Sequence, residues 1–267
     1  GRLANQLDAI GTSAGSAHVL LVFAHPDDEA MFFSPALAAL RESGYTLHFL
    51  CFSSGNYAGL GATRTRELER SGRVYGAASV RVVEDGRSQD GPGAWDTAFV
   101  GSFVAEYIQT VATSVGVVLT FDDGGVSGHP NHIDVHRGVK ALAKAPGNFG
   151  LAPGRRCLFY ELRTRPMARK YSGPLEIVAW WLDRHRYAGE VVRRLPSAGG
   201  VAAVAGAGLP LRFVVRRRQA LLSLDGMRAH PSQLVWFRYL FVVFSQYGFV
   251  NELWPMAPAV AAAESAP

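Results

Sequence analysis

The chain has 267 residues, 48% of them hydrophobic and 18% charged. That balance excludes a disordered chain, a collagen-like repeat and a disulfide scaffold, and a chain of this length buries roughly three quarters of its unfolded surface without staples. The two cysteines, Cys51 and Cys157, make neither a disulfide framework nor a four-thiolate metal site, and their scarcity fits a reducing compartment. The net charge of +5 is unevenly spread: residues 1–150 carry 11 basic and 15 acidic side chains, and residues 151–267 carry 16 and 7. Fifteen of those 16 cations are Arg, which suits bidentate contact with phosphate. The basic half therefore points to an anionic partner such as a phosphate or membrane surface, although a solvated basic face is the ordinary reading of such a bias. No recognisable binding motif accompanies the charge, so nucleic acid is not expected as a partner.

Val19–Phe23 is a continuous apolar run ending at His25-Pro26, the profile of a buried parallel strand. Residues 29–42 show helical spacing and stop before Gly44, and Tyr45–Phe52 reads as a second strand. Residues 63–76 predict an Arg/Glu-rich helix, Val80–Val83 a third strand, Thr97–Ser114 a helix and Val117–Phe121 a further buried strand. Asn131–Lys144 and Cys157–Leu162 continue the pattern as helix and strand. Strands alternating with helices of 10–15 residues argue for a parallel sheet with right-handed crossovers. The predicted fold class is α/β: a Rossmann-like three-layer fold with a mostly parallel sheet and a C-terminal helical cap.

No G-x-G-x-x-G follows the first strand, so dinucleotide binding gains no support. Residues 1–17 read as an N-terminal extension and 18–267 as one domain, with the α/β core over 18–165 and a basic, aromatic-rich part over 166–267. Within that part Pro196–Leu211 is uncharged and Gly/Ala-rich, the pattern of a flexible insertion, and Gln233–Leu253 predicts the cap. No apolar run reaches the ~20 residues that span a bilayer. The closest, Leu234–Val250, is broken by Arg238, Ser245 and Gln246 and reads as a buried or interfacial helix. The chain opens at Gly1 without an initiator Met, which leaves room for a signal or anchor segment upstream.

Ligands in open α/β sheets sit beyond the carboxyl ends of the strands. Two polar clusters fall there: His25-Pro26-Asp27-Asp28-Glu29 after the first strand, and Asp122 through His132 after the strand that ends at Phe121. Each has an ordinary explanation, carboxylates capping a helix N-terminus and histidines on a surface loop. Together they supply imidazoles and carboxylates to one region. A catalytic zinc takes three N/O ligands and keeps an open position, so two His and one carboxylate satisfy it and leave a carboxylate as base and an imidazole as acid. Spacing alone does not choose among His129, His132 and His136, the last two standing at i, i+4.

The two clusters resemble the paired signatures of the LmbE-like zinc N-deacetylases, with Gly128-His129-Pro130-Asn131-His132 as the second. Thr120–His132, Asp90–Asp96 and Gln233–Arg238 are most similar to the eukaryotic N-acetylglucosaminyl-phosphatidylinositol de-N-acetylases of GPI-anchor biosynthesis, and the resemblance spans about residues 18–253. It implies His25, Asp28 and His132 as zinc ligands, Asp27 as general base, His129 as acid or oxyanion stabiliser, and Arg64 as a contact to the phosphoinositol part of the substrate. Without the resemblance, Arg64 and Glu67 read as a surface i, i+3 pair. Asp122 is a candidate to orient His129 or a ligand His from behind, or simply a turn-forming Asp. The implied cofactor is Zn2+, although Fe(II) and Co(II) suit the same donor set. The implied partners are a glycolipid substrate and a membrane surface, and the implied location is the cytoplasmic face of the endoplasmic reticulum membrane. Two other readings remain: a deacetylase of a soluble N-acetylglucosamine conjugate of inositol, malate or chitin fragments, and a non-catalytic phosphoinositide-binding module. The sequence sets no oligomeric state.

Overall fold

The structure is a computed structural model that describes residues 18–110, 115–145, 157–173, 175–178, 210–215, 219 and 221–256. The extension 1–17 and most of the Gly/Ala-rich segment, 196–209, lie outside the described residues.

Strand β1 (His18–Phe23) pairs in parallel with β2 (Thr46–Cys51) on one side and β4 (Val115–Phe121) on the other. β3 (Ser79–Val82) continues beyond β2, and β5 (Leu158–Leu162) beyond β4, both in parallel. β7 (Val250–Pro255) then adds antiparallel to β5, and β6 (Leu211–Val214) antiparallel to β7. The order β3-β2-β1-β4-β5-β7-β6 reverses direction between β1 and β4, and that is where an α/β sheet opens a crevice for a ligand.

The period-2 alternation of β1 feeds two cores. Val19, Leu21 and Phe23 join a cluster with Phe33, Leu37 and Leu68, whereas Leu20, Val22 and Ala24 join Val100, Val104, Val135 and Val139. One face is covered by α2 (Ser34–Glu42) and α3 (Gly61–Tyr75), the other by α4 (Thr97–Thr110) and α5 (Pro130–Lys144). Three layers result, as the alternation predicts. A Cβ on Gly138 would lie 2.6 Å from the Val100 side chain, so the close crossing of α4 and α5 requires glycine there.

Two local readings change. The helix predicted over 29–42 is two, α1 (Asp28–Phe32) and α2, broken at Phe33 (φ −115°, ψ 0°) because Pro35 has no N–H to continue the ladder. Gln233–Leu253 also divides. α6 (Leu222–Arg228) and α7 (Trp236–Phe244) lie on the sheet face that carries α2, but Ser245 turns extended and the chain re-enters the sheet as β7. Buried Asn251 and Glu252 disguise that strand as polar sequence. Asn251 bonds the Ala36 N–H and the carbonyls of Phe32 and Tyr247, and Glu252 takes Arg165, Arg212 and the Trp254 indole.

Candidate active site

The reversal point brings the β1 turn (residues 24–27) against the β4 loop (residues 122–129). Asp28, the first residue of α1, folds its carboxylate back so that Oδ2 accepts the N–H of His25 at 2.8 Å and of Ala24 at 3.2 Å. Its Oδ1 lies 3.2 Å from His132 Nε2. Burial opposes ionisation of Asp28, but the His132 and His25 imidazoles outweigh it and hold the carboxyl well below the usual carboxylate range.

His132 opens α5. Its Nδ1 faces the Gly125 carbonyl at 3.1 Å, and its ring stacks on Phe121 with centroids 4.1 Å apart, so Nε2 is aimed into the crevice. The rings of His25, His129 and His132 lie 4.7–5.5 Å from one another, and each offers a nitrogen within 4.8 Å of the others. His25 Nε2 is shared between Asp90 Oδ1 and Asn131 Oδ1, both at 3.2 Å, and its Nδ1 is 3.7 Å from Asp28 Oδ2. Burial would lower the His25 pKa, but the Asp90 hydrogen bond and the surrounding carboxylates raise it, while the same bond draws Asp90 down to about 2. Asp28 and Asp90 act on His129 only weakly. Burial and the two neighbouring imidazoles push its pKa down to about 4, and its Nδ1 is buried without a partner.

Asp27 is held at φ +119°, a conformation rare outside glycine, with its N–H donated to Glu29 Oε2 at 3.2 Å. Its oxygens lie 3.6 Å from Arg64 and 3.4 Å from Arg238, and Oδ2 is buried without a hydrogen bond. Burial lifts the Asp27 carboxyl above its ordinary value against the pull of Arg238 and Arg64. Glu29 caps nothing exposed: it is fully buried, with Oε1 2.5 Å from Ser71 Oγ and 2.6 Å from His230 Nε2.

Arg64 makes no pair with Glu67. It donates to the carbonyls of Pro26 at 2.7 Å and Gly55 at 3.1 Å, and Gly55 sits at φ +69° where a Cβ would lie 2.3 Å from the guanidinium. Glu67 instead accepts from the backbone and hydroxyl of Ser232. His136 turns away, with Nδ1 2.9 Å from the Phe121 carbonyl and 3.5 Å from Glu161. Asp122 touches neither His129 nor His132 and staples the loop instead, accepting from Gly124 N–H, Thr164 N–H and the Thr164 hydroxyl.

Asp90 and Arg238 were not singled out by sequence reasoning. For Arg238 a signal exists, since it is the one charge in the otherwise apolar and aromatic α7. These groups line a cavity of about 660 Å³ whose other wall is Phe237, Leu240, Phe241 and Phe244 of α7.

The model of the family described as PIG-L, GlcNAc-PI de-N-acetylase, matches residues 20–143. The N-acetylglucosaminyl-phosphatidylinositol de-N-acetylase of Bos taurus is 35% identical over 246 residues, covering 91% of this chain and 85% of its own. The chain belongs to this family. The Saccharomyces cerevisiae enzyme of the same name is 32% identical over 255 residues, covering 89% and 81%. Among solved structures, N,N'-diacetylchitobiose deacetylase from Pyrococcus horikoshii superposes with a TM-score of 0.55 at 15% identity over 90% of this chain and 84% of that one, which shows the shared fold. The family match contains both loops that meet at the crevice, and the α7 wall lies outside it.

Proposed function

We propose that the chain removes the acetyl group from N-acetylglucosaminyl-phosphatidylinositol, releasing acetate and the free glucosaminyl lipid. The observation that carries this reading is the make-up of one cavity: a His/Asp floor at the strand ends, Arg64 and Arg238 beside it, and an aromatic wall. Those surfaces suit, in turn, an acetamido sugar, an anionic phosphoinositol and acyl chains. The identity to family enzymes over nine-tenths of the chain supports the same substrate.

The donor set fits a divalent metal. His132 is fixed by the Gly125 carbonyl with Nε2 inward, His25 is fixed through Asp90 and Asn131, and the Asp28 carboxylate lies beside both. His25, Asp28 and His132 would hold the ion, with His129 facing the same space; zinc is proposed, and Fe(II) or Co(II) suits the same donors. Such an ion supplies Lewis acidity for the acetyl carbonyl and acidifies water at the site.

Asp27, buried and aimed into the cavity, takes a proton from water as the new C–O bond forms. Neutral His129 donates an N–H to the oxyanion that develops on the former carbonyl oxygen. The C–N bond then breaks, the proton held by Asp27 is available to the departing amine, and acetate leaves. Arg64 orients the phosphoinositol part of the substrate. The expected location is the cytoplasmic face of the endoplasmic reticulum membrane, and no helix among the described residues is long and apolar enough to cross a membrane.

The test is amine release by chelator-treated protein, with and without added zinc, from the glycolipid and from its lipid-free headgroup. Zinc-dependent release from the lipid form, with little from the headgroup, is the expected result. Equal or better release from the headgroup would move the substrate to a soluble sugar conjugate, and no release from either would leave a non-catalytic lipid-binding module.

A further inference from the structure

Six of the nine residues of α7 (Trp236, Phe237, Tyr239, Leu240, Val243 and Phe244) are large apolar or aromatic side chains about half exposed or more, Trp236 at 74%. The helix's one charged residue, Arg238, turns inward to Asp27, so the outward face carries no charge. A monomeric soluble protein seldom leaves such a contiguous face bare.

A second segment continues it. The Tyr171 ring meets Phe241 with centroids 6.3 Å apart, and Gly173 packs so closely on α7 that a Cβ there would lie 3.0 Å from the Phe244 carbonyl. That segment exposes Met167, Tyr171 and Leu175.

The helix has two apolar sides with different duties. Phe237, Leu240, Phe241 and Phe244 line the cavity that holds Asp27 and the three imidazoles. Trp236, Tyr239 and Val243, spaced i, i+3, i+7, line no part of it and look outward. The exposed surface is therefore continuous with the cavity wall.

We propose that α7, with Met167, Tyr171 and Leu175, forms the surface by which the chain seats itself in the interfacial layer of an anionic lipid bilayer, so that the cavity opens directly onto the membrane. The proposal rests on the glycolipid reading above, because a diacyl substrate brings its headgroup to the site at lowest cost when its chains stay among other lipids. Three observations select a bilayer over a protein partner. A protein seated on α7 would cover the wall through which acyl chains must enter. Trp and Tyr on the outward side are the residues that settle at headgroup depth. The half of the chain that carries this surface has an excess of nine positive charges, which complements anionic headgroups.

The experiment is sedimentation of the full chain with phosphatidylcholine vesicles containing phosphatidylinositol, comparing wild type with W236E/Y239E/V243E. The triple variant should lose vesicle partitioning by about tenfold or more, and its turnover of glycolipid in vesicles should fall in parallel. Its far-ultraviolet circular dichroism, melting temperature and turnover of glycolipid dispersed in detergent should match wild type, since none of the three side chains lines the cavity. A milder variant guards against a folding artefact: Trp236→Phe should still partition, yet lose most of the quenching of protein fluorescence by brominated lipid. A wild-type chain that stays in the supernatant, or a triple variant that partitions as well as wild type, would overturn the proposal. So would a concentration-dependent dimer that the triple variant abolishes, because α7 would then belong to a second copy. Failure to hydrolyse any substrate would sink the functional reading and leave the vesicle result to stand or fall by itself.

Discussion

The sharpest consequence of the site geometry concerns Asp27→Asn. Asparagine keeps the volume of the side chain, tolerates the left-handed conformation better than most residues, and retains the backbone N–H bonded to Glu29. What it loses is the capacity to accept a proton. A positioned general base contributes roughly 10²–10⁴ in rate, about 2.7–5.5 kcal/mol of barrier, so kcat should fall by at least about 100-fold with metal content unchanged.

The same substitution should not destabilise the protein. Burial raises the Asp27 carboxyl pKa above its unfolded value, so folding favours the protonated form and stability is lost as pH rises above that unfolded value. Near pH 7 a neutral asparagine avoids this loss, while Arg64 keeps its bonds to Pro26 and Gly55. The metal-free variant should melt at the wild-type temperature or above it. The assays are acetate release at saturating glycolipid, elemental analysis and thermal unfolding of chelator-treated protein. A variant that turns over within about threefold of wild type at full metal occupancy would refute the role given to Asp27.

Two further substitutions divide the histidines: His132→Ala should lose both metal and activity, whereas His136→Ala should keep its metal, because His136 is spent on the Phe121 carbonyl and Glu161. Elemental analysis decides, and full occupancy in His132→Ala would return the ligand role to His136. A third prediction concerns acid stability far from the site. His48 Nε2 lies 2.9 Å from His18 and Nδ1 2.7 Å from Ser79, and burial followed by the His18 charge pushes its pKa down to about 4. Below about pH 6.5 the unfolded chain takes up a proton that the folded chain refuses, so stability should drop by about 1–2 kcal/mol between pH 7 and 5. His48→Asn should flatten that slope in urea titrations, and an unchanged slope would remove His48 from the account.

The parallel core was legible because β1, β2 and β4 are buried on both faces and therefore read as apolar runs between amphipathic helices. β7 was not, because its second and third residues, Asn251 and Glu252, are polar and find their partners only once α2 and β6 are in place. The two clusters could be read from their position after strands. The contacts that complete them could not: Asp90 arrives from the segment between β3 and α4, and Arg238, although marked out as the one charge in α7, from a helix more than 200 residues after Asp27. Their contact depends on packing that no local period encodes. The choice between His132 and His136 was equally hidden, since i, i+4 spacing places both on one side of α5 and only the register of that helix against Phe121 separates them.

Asp122 shows how the two loops are held ready. Among the described residues, the non-glycine positions with φ in the left-handed region are Asp27 and Val126 (+64°), one in each of the loops that meet at the crevice. Strain of this kind costs about 1–3 kcal/mol per residue and persists only where the surroundings enforce it. Glu29 enforces it at Asp27 by accepting the N–H, and is itself fixed by Ser71 and His230. At Val126 the N–H is taken by the Thr164 hydroxyl at 2.8 Å, and Thr164 is fixed in turn by Asp122. The same turn presents the Gly125 carbonyl that orients His132. Asp122 therefore orients His132, the proposed ligand, at one remove, through a strained turn and not by touching the imidazole. Both loops thus line the cavity with their conformations already set, and in the proposed reaction the stability given up there would leave little reorganisation to bear.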